Sequence, residues 1–237
     1  MCLSAVAFAA PALGQSGPTI EAEVASDESR RGISWSEGRV APAASIRLDR
    51  GALALGARVA ATRDSARHAG AEAVVDVEGG YIADVGPLQL EARAIGHFFA
   101  GSAIGADYGE VAVGAGYLLG PARVTARATY APDQHAIGGD NLYLNAGASL
   151  GIPATPFTVS AAVGRTTGST DDPFRAARLR PAGDYTDWRV GVEHITGPLL
   201  IGVDYVGTDI DQRGPGLPLA DLRHSGDRLV GRVAFRF

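Results

Sequence analysis

Apolar and polar residues alternate along most of the chain from Thr19 onward, with the period of two that a β-strand requires. The alternation recurs in about twelve segments, most of them roughly nine to twelve residues long, which is the length that a tilted strand needs to cross a bilayer. No helical pattern of comparable length interrupts the series. The predicted strands are residues 19–28, 41–49, 52–62, 71–82, 87–98, 108–119, 121–131, 141–152, 156–165, 185–195, 198–208 and 227–237.

The connections between these segments alternate between short and long. Short ones, rich in Gly and Pro, fall at residues 49–51, 83–87, 119–121, 153–155 and 196–198. Longer polar ones fall near residues 31–40, 63–70, 101–107, 132–140, 166–184 and 209–226. A Greek-key sandwich has no reason to keep this rhythm, whereas a barrel with brief turns at one end and larger loops at the other requires it. The chain is therefore predicted to be all-β: an up-and-down antiparallel transmembrane β-barrel of about 12 strands.

The large aromatic residues of the apolar face lie near the ends of the predicted strands, whereas Ala, Val, Leu and Gly occupy the strand middles. Two aromatic girdles around a band of small aliphatic residues match the two interfaces of a membrane. A soluble barrel would place bulky side chains at mid-strand, where burial is deepest. The apolar face is therefore predicted to point outward into lipid. The girdle residues are Tyr81, Phe98, Tyr117, Tyr130, Phe157, Trp188, Tyr205, Phe235 and Phe237.

The composition narrows the class of protein further. A length of 237 residues suits a single barrel domain. The net charge of -5 and the lack of a basic patch argue against a nucleic-acid partner. Residues 1–16 carry the apolar run of a secretory signal peptide without its basic first part, and residues 17–237 are predicted to form an outer-membrane β-barrel domain. The single cysteine, Cys2, lies in that leader, so no disulfide is predicted.

The last strand alternates strictly and ends on an aromatic residue, Phe237. It resembles the closing strand of bacterial outer-membrane barrels, in which the terminal aromatic is part of the signal read by the barrel assembly machinery. The alternative interpretation of this segment is an ordinary amphipathic strand at the edge of a sheet. Opposite charges favour antiparallel pairing of this strand with the first one, which would close the barrel. The predicted closure pairs are Arg236 with Glu21, Arg232 with Glu23 or Ala25, and Arg228 with Asp27.

The polar face of the strands carries charges of both signs and is expected to line the lumen. A barrel of about twelve strands is wider than the eight-stranded kind that side chains fill. Two interpretations stay open: a narrow water-filled pore for small polar solutes, or a closed lumen in which the charges pair across strands, as in a structural or adhesin-like barrel. The predicted pore-lining residues are Arg47, Arg58, Glu72, Asp76, Glu78, Glu91, Arg93, Arg123, Arg127, Asp187, Arg189, Glu193 and Asp204.

Four short motifs resemble the TorF-like porin family of proteobacterial outer membranes. The first has a Ser-Asp pair followed by Arg-Gly-x-Ser, matched by Ser26, Asp27, Arg31, Gly32 and Ser34, with Glu28 where the family usually has an aromatic. The others are residues 142–147, 185–191 and 202–209. The resemblance covers nearly the whole mature chain. It implies one barrel in the cell outer membrane of a Gram-negative bacterium, with a transport role and no catalytic residues.

No catalytic, cofactor-binding or metal-binding group is predicted. Asp133 and His135, and His224 with Ser225, lie in predicted outer loops without a nucleophile motif, so a hydrolase is the less favoured alternative. The acidic pair at residues 171–172 lacks the further oxygen ligands of a calcium site. The expected partners are outer-membrane lipid, the barrel assembly machinery and small polar solutes.

Overall fold

In the part of the chain that the structure describes, twelve strands form a closed antiparallel barrel in which the last strand pairs with the first. The computed structural model describes residues 17–214 and 216–237, so the predicted leader at residues 1–16 lies outside the described residues. The up-and-down β-barrel predicted from the alternation is confirmed. In chain order the strands are β1 (Thr19–Ala25), β2 (Ser29–Arg30), β3 (Ile33–Ser34), β4 (Ala41–Arg50), β5 (Leu53–Ser65), β6 (Ala71–Val85), β7 (Leu88–Ala100), β8 (Tyr108–Leu119), β9 (Ala122–Gln134), β10 (Gly139–Gly151), β11 (Phe157–Thr167), β12 (Tyr185–Thr196), β13 (Leu199–Thr208) and β14 (Arg228–Arg236); all except β2 and β3 belong to the barrel.

Short turns join the strands at one end of the barrel, the turn end, and longer segments join them at the other, the loop end. Most strand boundaries agree with the predicted ones to within a few residues. Several strands run further toward the loop end than predicted: β5 continues to Ser65 and β9 to Gln134. Each of these two then enters a single 3-10 turn, Ala66–His68 or His135–Ile137. The first strand is the exception, because it ends at Ala25 instead of residue 28.

The outward side chains of the barrel wall are apolar and exposed. Leu55, Val113 and Val190 leave 55%, 60% and 57% of their surfaces uncovered by protein. An apolar band of this extent around a whole barrel is unfavourable in water, so the wall suits a lipid environment. Of the nine predicted girdle residues, eight are exposed, and Trp188 is half-buried.

Residues 26–40, which we call the strap, connect β1 to β4 by crossing the inside of the barrel. A tight hairpin formed by β2 and β3 makes up its middle, with Arg31 (φ 50°) and Gly32 (φ 74°) at the turn. Positive φ at both central positions is typical of two-residue hairpin turns. Residues 27–36 are all buried. The expectation of an outer loop at residues 31–40 is therefore wrong for most of that segment, because its polar side chains find partners on the inward face of the wall.

The hydrophobic core lies at the loop end and not at the centre of the barrel. There the connecting loops fold over the strap and form what we call the cap. Its loop residues include Leu179, Ile210 and Leu222, which belong to the same buried apolar cluster as Ile33 and Trp35 of the strap. The only α-helix of the described residues, α1 (Pro173–Ala176), is one turn long. No helix in the described ranges has the length and apolar character to span a membrane.

Candidate functional site

One side of the strap is fastened to the lumen wall by a chain of buried ion pairs. Glu28 accepts hydrogen bonds from both terminal nitrogens of Arg58 on β5, at 2.7 and 2.9 Å. Arg30 binds Asp76 on β6 through both of its own terminal nitrogens, at 3.1 and 2.7 Å, and its Nε donates to Glu28 at 2.8 Å. Buried charges are costly unless they are paired this closely. The charges of the strap and those of the wall therefore stabilise one another.

The same network continues to the tip of the hairpin. Arg31 donates to the carboxylate of Glu110 on β8 at 2.7 Å, and its guanidinium lies 4.7 Å from the ring centroid of Tyr143 on β10. His97 of β7 connects the two anchors, with its ring nitrogens 2.7 Å from Asp76 and 3.3 Å from Glu110. Strands β5 to β8 thus hold the strap through one continuous set of polar contacts.

The tip of the hairpin approaches the opposite wall so closely that only glycine fits. A Cβ atom on Gly32 would lie 2.5 Å from Cγ2 of Thr208, 2.7 Å from Cβ of Asp187 and 2.8 Å from the carbonyl oxygen of Gly207. Arg228 of β14 donates to the carbonyl oxygen of Gly32 at 2.8 Å. The tip is therefore held between β12, β13 and β14, across the lumen from the ion pairs.

Asp27 organises the beginning of the strap. Its carboxylate accepts hydrogen bonds from the hydroxyls of Ser34 and Ser36, and from Nε of Arg228 at 2.8 Å. The hydroxyl oxygen of Ser36 accepts in turn from the backbone N–H of Glu28 at 3.0 Å. Asp27 was expected on the first strand and lies instead in the strap, where it still contacts Arg228 because the strap folds back along the inner face of β14.

The main cavity of the lumen lies between the strap and the turn end and has a volume of about 300 Å³. Its walls carry seven arginines and four carboxylates, so positive charge is in excess. Arg93 lies between Glu78, at 2.8 Å, and Glu91, at 3.1 Å. Arg123 donates to Gln89 at 2.6 Å. The charged lining residues are Glu21, Arg30, Arg47, Arg58, Asp76, Glu78, Glu91, Arg93, Arg123, Arg127 and Arg189.

A second cavity, of about 70 Å³, lies between the strap and the wall formed by β10 to β14. Strap residues Arg31 and Gly32 form one side of it. Both cavities are lined in part by Asn145, Ala162 and Arg189, so they adjoin one another. The strap therefore divides the lumen into a large chamber and a small one.

Most of the predicted lumen residues line one of these two chambers, and Glu72 and Glu193 line neither. Glu193 is buried beside the second cavity, where it contacts Arg232. Glu72 is different: it is exposed near the loop end, close to Gly101 and outside both cavities, where the pairing of β5 with β6 is irregular. Arg47, Arg58, Asp76, Glu78, Glu91, Arg93, Arg123, Arg127 and Arg189 line the main cavity, and Asp187, Arg189 and Asp204 line the second.

The seam between β1 and β14 pairs Glu21 with Arg236 and Ala25 with Arg232 in the strand register. The guanidinium of Arg236 lies 2.8 Å from the carboxylate of Glu21. Phe237 continues the ladder, since its backbone N–H donates to the carbonyl oxygen of Ile20 at 2.8 Å. The pairing of the two strands therefore includes Phe237.

Arg232 is expected to couple more strongly to Glu193 than to Glu23. It contacts Glu193 of β12 directly, whereas Glu23 lies 4.0 Å away and is bound by Arg58 at 3.1 Å. Double-mutant cycles with Gln substitutions should give a coupling free energy of about 1–3 kcal/mol for Arg232 with Glu193, and below about 1 kcal/mol for Arg232 with Glu23. Urea unfolding of the refolded barrel in detergent measures both. Equal couplings would contradict this geometry.

Buried arginines tie the loops of the cap together through backbone carbonyl groups. Arg67 is fully buried and donates to the carbonyl oxygens of Ser34, Arg178 and Asp221, at 3.0, 2.9 and 2.8 Å. Arg178 donates to two further loop carbonyls, at 3.0 and 2.6 Å. Burial lowers the pKa of Arg178 to about 10 and holds the pKa of His68 well below its ordinary value. His68 is consequently neutral near pH 7, and no acidic side chain is needed to balance it.

The sequence pattern does not reveal the core of the cap directly. Phe99, Tyr108, Tyr143 and Tyr185 lie at inward positions of their strands, near the loop end, and all are buried. An inward position in a wide barrel normally faces water. Four large aromatic residues at inward positions near one end therefore indicate that packed side chains fill the lumen at that end. The charges that surround them in the sequence obscure this signal.

Histidines of the loops form no catalytic arrangement in the part of the chain that the structure describes. His135 is exposed. Nδ1 of His224 lies 2.8 Å from a carboxylate oxygen of Asp221, but the hydroxyl of Ser225 donates to the backbone carbonyl of Asp221 and not to the imidazole. Among these residues no group of three or more His, Cys, Asp or Glu side chains is positioned to hold a metal ion.

Comparisons with known proteins agree with the barrel. Residues 11–216 match a family model described as a bacterial protein of unknown function (Gcw_chp). Solved structures with a similar fold include the KdgM porin, at 8% identity over 92% of this chain and 99% of that one, with a TM-score of 0.61. A structure from work on in-meso crystallization of membrane proteins has 10% identity over 93% and 83%, with a TM-score of 0.56. LpxR from Salmonella typhimurium has 10% identity over 92% and 99%, with a TM-score of 0.50. A search of curated proteins finds no match. These identities show a shared fold alone.

Proposed function

The chain belongs to the Gcw_chp family of bacterial proteins of unknown function, and we propose that it is a porin-like barrel that passes small polar solutes across the outer membrane of a Gram-negative bacterium. The observation that carries the proposal is the inverted wall, with exposed apolar side chains outside and a charged cavity inside. This is the layout of an outer-membrane channel. The turn end then faces the periplasm and the loop end faces the exterior.

Finer features of the sequence are consistent with this assignment. The resemblance to the TorF-like porin family supports a transport role without enzymatic activity. The alternating last strand, β14, supports the barrel assembly machinery as a partner, and the apolar run within residues 1–16 supports export. The surrounding lipid would contact the apolar band. In this assignment the protein needs no cofactor and no nucleic acid.

The strap forms the constriction of the proposed channel. Its ten buried residues, 27–36, cross the lumen, and the cavity of about 70 Å³ lies at their side. The cap adds a layer of packed loops beyond it. We therefore expect low conductance from the unaltered protein.

A closed barrel with a structural or adhesin-like role is the second candidate. It is favoured by the ion pairs that fasten the strap to the lumen wall, such as Arg30 with Asp76 and Arg31 with Glu110. The loops near residues 166–184 and 209–226 would then do the binding. Complete absence of channel steps from the unaltered protein in planar bilayers would favour this candidate over the channel.

The channel is expected to prefer anions, because seven arginines and four carboxylates line its main cavity. The zero-current potential across a KCl gradient in planar bilayers should show chloride to be more permeant than potassium. Replacing Arg123, which lines the cavity, by Gln should reduce that preference. Arg165→Gln is the matched control, because Arg165 is exposed and lies near Asp209 at the loop end. Selectivity for potassium would contradict the proposed path.

A further inference from the structure

The second cavity is lined by two buried charged residues that each keep one polar atom without a partner. Asp187 is 6% exposed, and its Oδ2 has no hydrogen bond in the described structure; Arg31 is 8% exposed, and the same holds for its Nη1. The other carboxylate oxygen of Asp187 accepts from the hydroxyl of Tyr143 at 3.1 Å. The other terminal nitrogen of Arg31 binds Glu110. A buried polar atom that lacks a partner is costly, so a ligand that bound both atoms would relieve that cost.

The charge balance of the cavity distinguishes Asp187 from the other carboxylates of its lining. Glu23, Asp27, Glu28 and Asp204 each have an arginine nitrogen within 2.7–3.1 Å. Among residues 17–214 and 216–237, no arginine nitrogen lies within ion-pair distance of Asp187, which hydrogen-bonds to Tyr143 and is attracted by Arg31 only at longer range. A buried carboxylate without a close ion pair is unfavourable. The site therefore fits a ligand that brings a positive group to Asp187.

The volume of the cavity limits the size of such a ligand. At about 10–15 Å³ for each water molecule, a cavity of about 70 Å³ has room for roughly five to seven water molecules. A molecule of about five non-hydrogen atoms fits this space. It can enter from the main cavity, because Asn145, Ala162 and Arg189 line both chambers.

We propose that this cavity is a binding site for small zwitterions of the α-amino acid class, with the ammonium group on Oδ2 of Asp187 and the carboxylate on Nη1 of Arg31. Tyr143 orients Asp187 through its hydroxyl, and Asn145 donates to that hydroxyl oxygen at 3.2 Å. The site rests on the proposed function in one respect, since the ligand would reach it through the lumen. It names one class of solute that the channel would hold along its path.

The four sequence motifs that are far apart in the chain meet at this cavity. Their meeting place is created by the strap, which brings the first motif against β10, β12 and β13. The lining residues from the motifs include Arg31 and Gly32 from residues 26–34, Tyr143 and Asn145 from residues 142–147, Asp187 and Arg189 from residues 185–191, and Asp204 from residues 202–209.

Calorimetric titration of the refolded barrel in detergent with glycine, methylamine and acetate tests the site. Glycine should bind most tightly, methylamine more weakly because it leaves Nη1 of Arg31 without a hydrogen bond, and acetate least, because it repels Asp187. Asp187→Asn keeps the hydrogen bond from Tyr143 and removes the charge, so glycine should bind at least about tenfold more weakly. Asp209→Asn is the matched control, since Asp209 is exposed and lies outside both cavities, and glycine binding should not change.

The site is overturned if glycine does not bind the unaltered protein, if acetate binds as well as glycine, or if Asp187→Asn binds glycine unchanged. The comparison of glycine, methylamine and acetate needs only the unaltered protein. It therefore tests the site even if the Asp187→Asn variant does not refold. Conductance is recorded separately. Channel steps without glycine binding overturn the site and leave the channel, whereas glycine binding without channel steps supports the site and counts against the channel.

Discussion

Replacing the strap by a two-residue turn is expected to raise the single-channel conductance several-fold. Ala25 at the end of β1 pairs directly with Ala41 at the start of β4, so an Asn-Gly turn can join the two strands in the register they already have. Removal of the ten buried residues clears the cross-section of the lumen. The measurement is current through the refolded variant in planar bilayers, compared with the unaltered protein.

The wall should tolerate this change better than the cap. Arg58, Asp76 and Glu110 lose their strap partners but then face a hydrated lumen, where water screens their charges. The cap loses Ile33 and Trp35 from its apolar cluster, so the temperature of heat-induced mobility change on a gel should fall. Glu37→Gln, at a half-buried position of the same segment outside the ten buried residues, is the control and should leave the conductance unchanged. Unchanged conductance in the strap-free variant would mean that the cap alone closes the barrel.

Gly32→Ala is expected to destabilise the barrel more than the same change at any open turn. An alanine at φ +74° costs about 1–2 kcal/mol for the backbone conformation alone. Its methyl group would also lie within 2.5–2.8 Å of atoms on β12 and β13, which adds about 1–3 kcal/mol of overpacking. Urea unfolding in detergent measures the total.

Gly120→Ala separates the two contributions to that loss. Gly120 has φ +60° and no heavy atom within 4 Å of the added methyl group, so only the backbone cost applies there. The difference between the two variants reports how tightly the hairpin tip is held against the wall. Gly32→Ala should also increase conductance, because the tip can relieve the clash only by moving into the lumen. Equal destabilisation of the two variants would show that the tip has room to move.

The wall of the barrel could be predicted from the sequence because the pattern that defines each strand lies within that strand's own residues. A side chain at every second position points outward, and lipid requires these outward side chains to be apolar. In β8, for example, Val111 and Val113 point outward and Glu110 points inward, so the sequence of the strand identifies its two faces. The position of the charges on the inward face follows from the same period. Closure of β1 on β14 adds one long-range feature, for which the opposite charges of Glu21 and Arg236 provide a signal.

The strap and the second cavity could not be predicted in this way. Glu28, Arg30 and Arg31 are polar residues in a polar segment, and a local pattern of this kind indicates a solvated loop. Their partners, such as Asp76 and Glu110, are distant in the chain and face the strap only once the barrel has closed. The buried location of Trp35 depends on the same closure.

The sequence by itself determined the number of strands, the two faces of the wall and the end at which the long loops lie. The tertiary structure alone decided that the first of those loops turns inward, divides the lumen and brings Arg31 beside the cavity of Asp187. The physical reason is that the alternation of apolar and polar residues depends only on whether each face of a single strand contacts lipid or the lumen. The pairing of buried charges depends instead on which strands a closed barrel places across from one another.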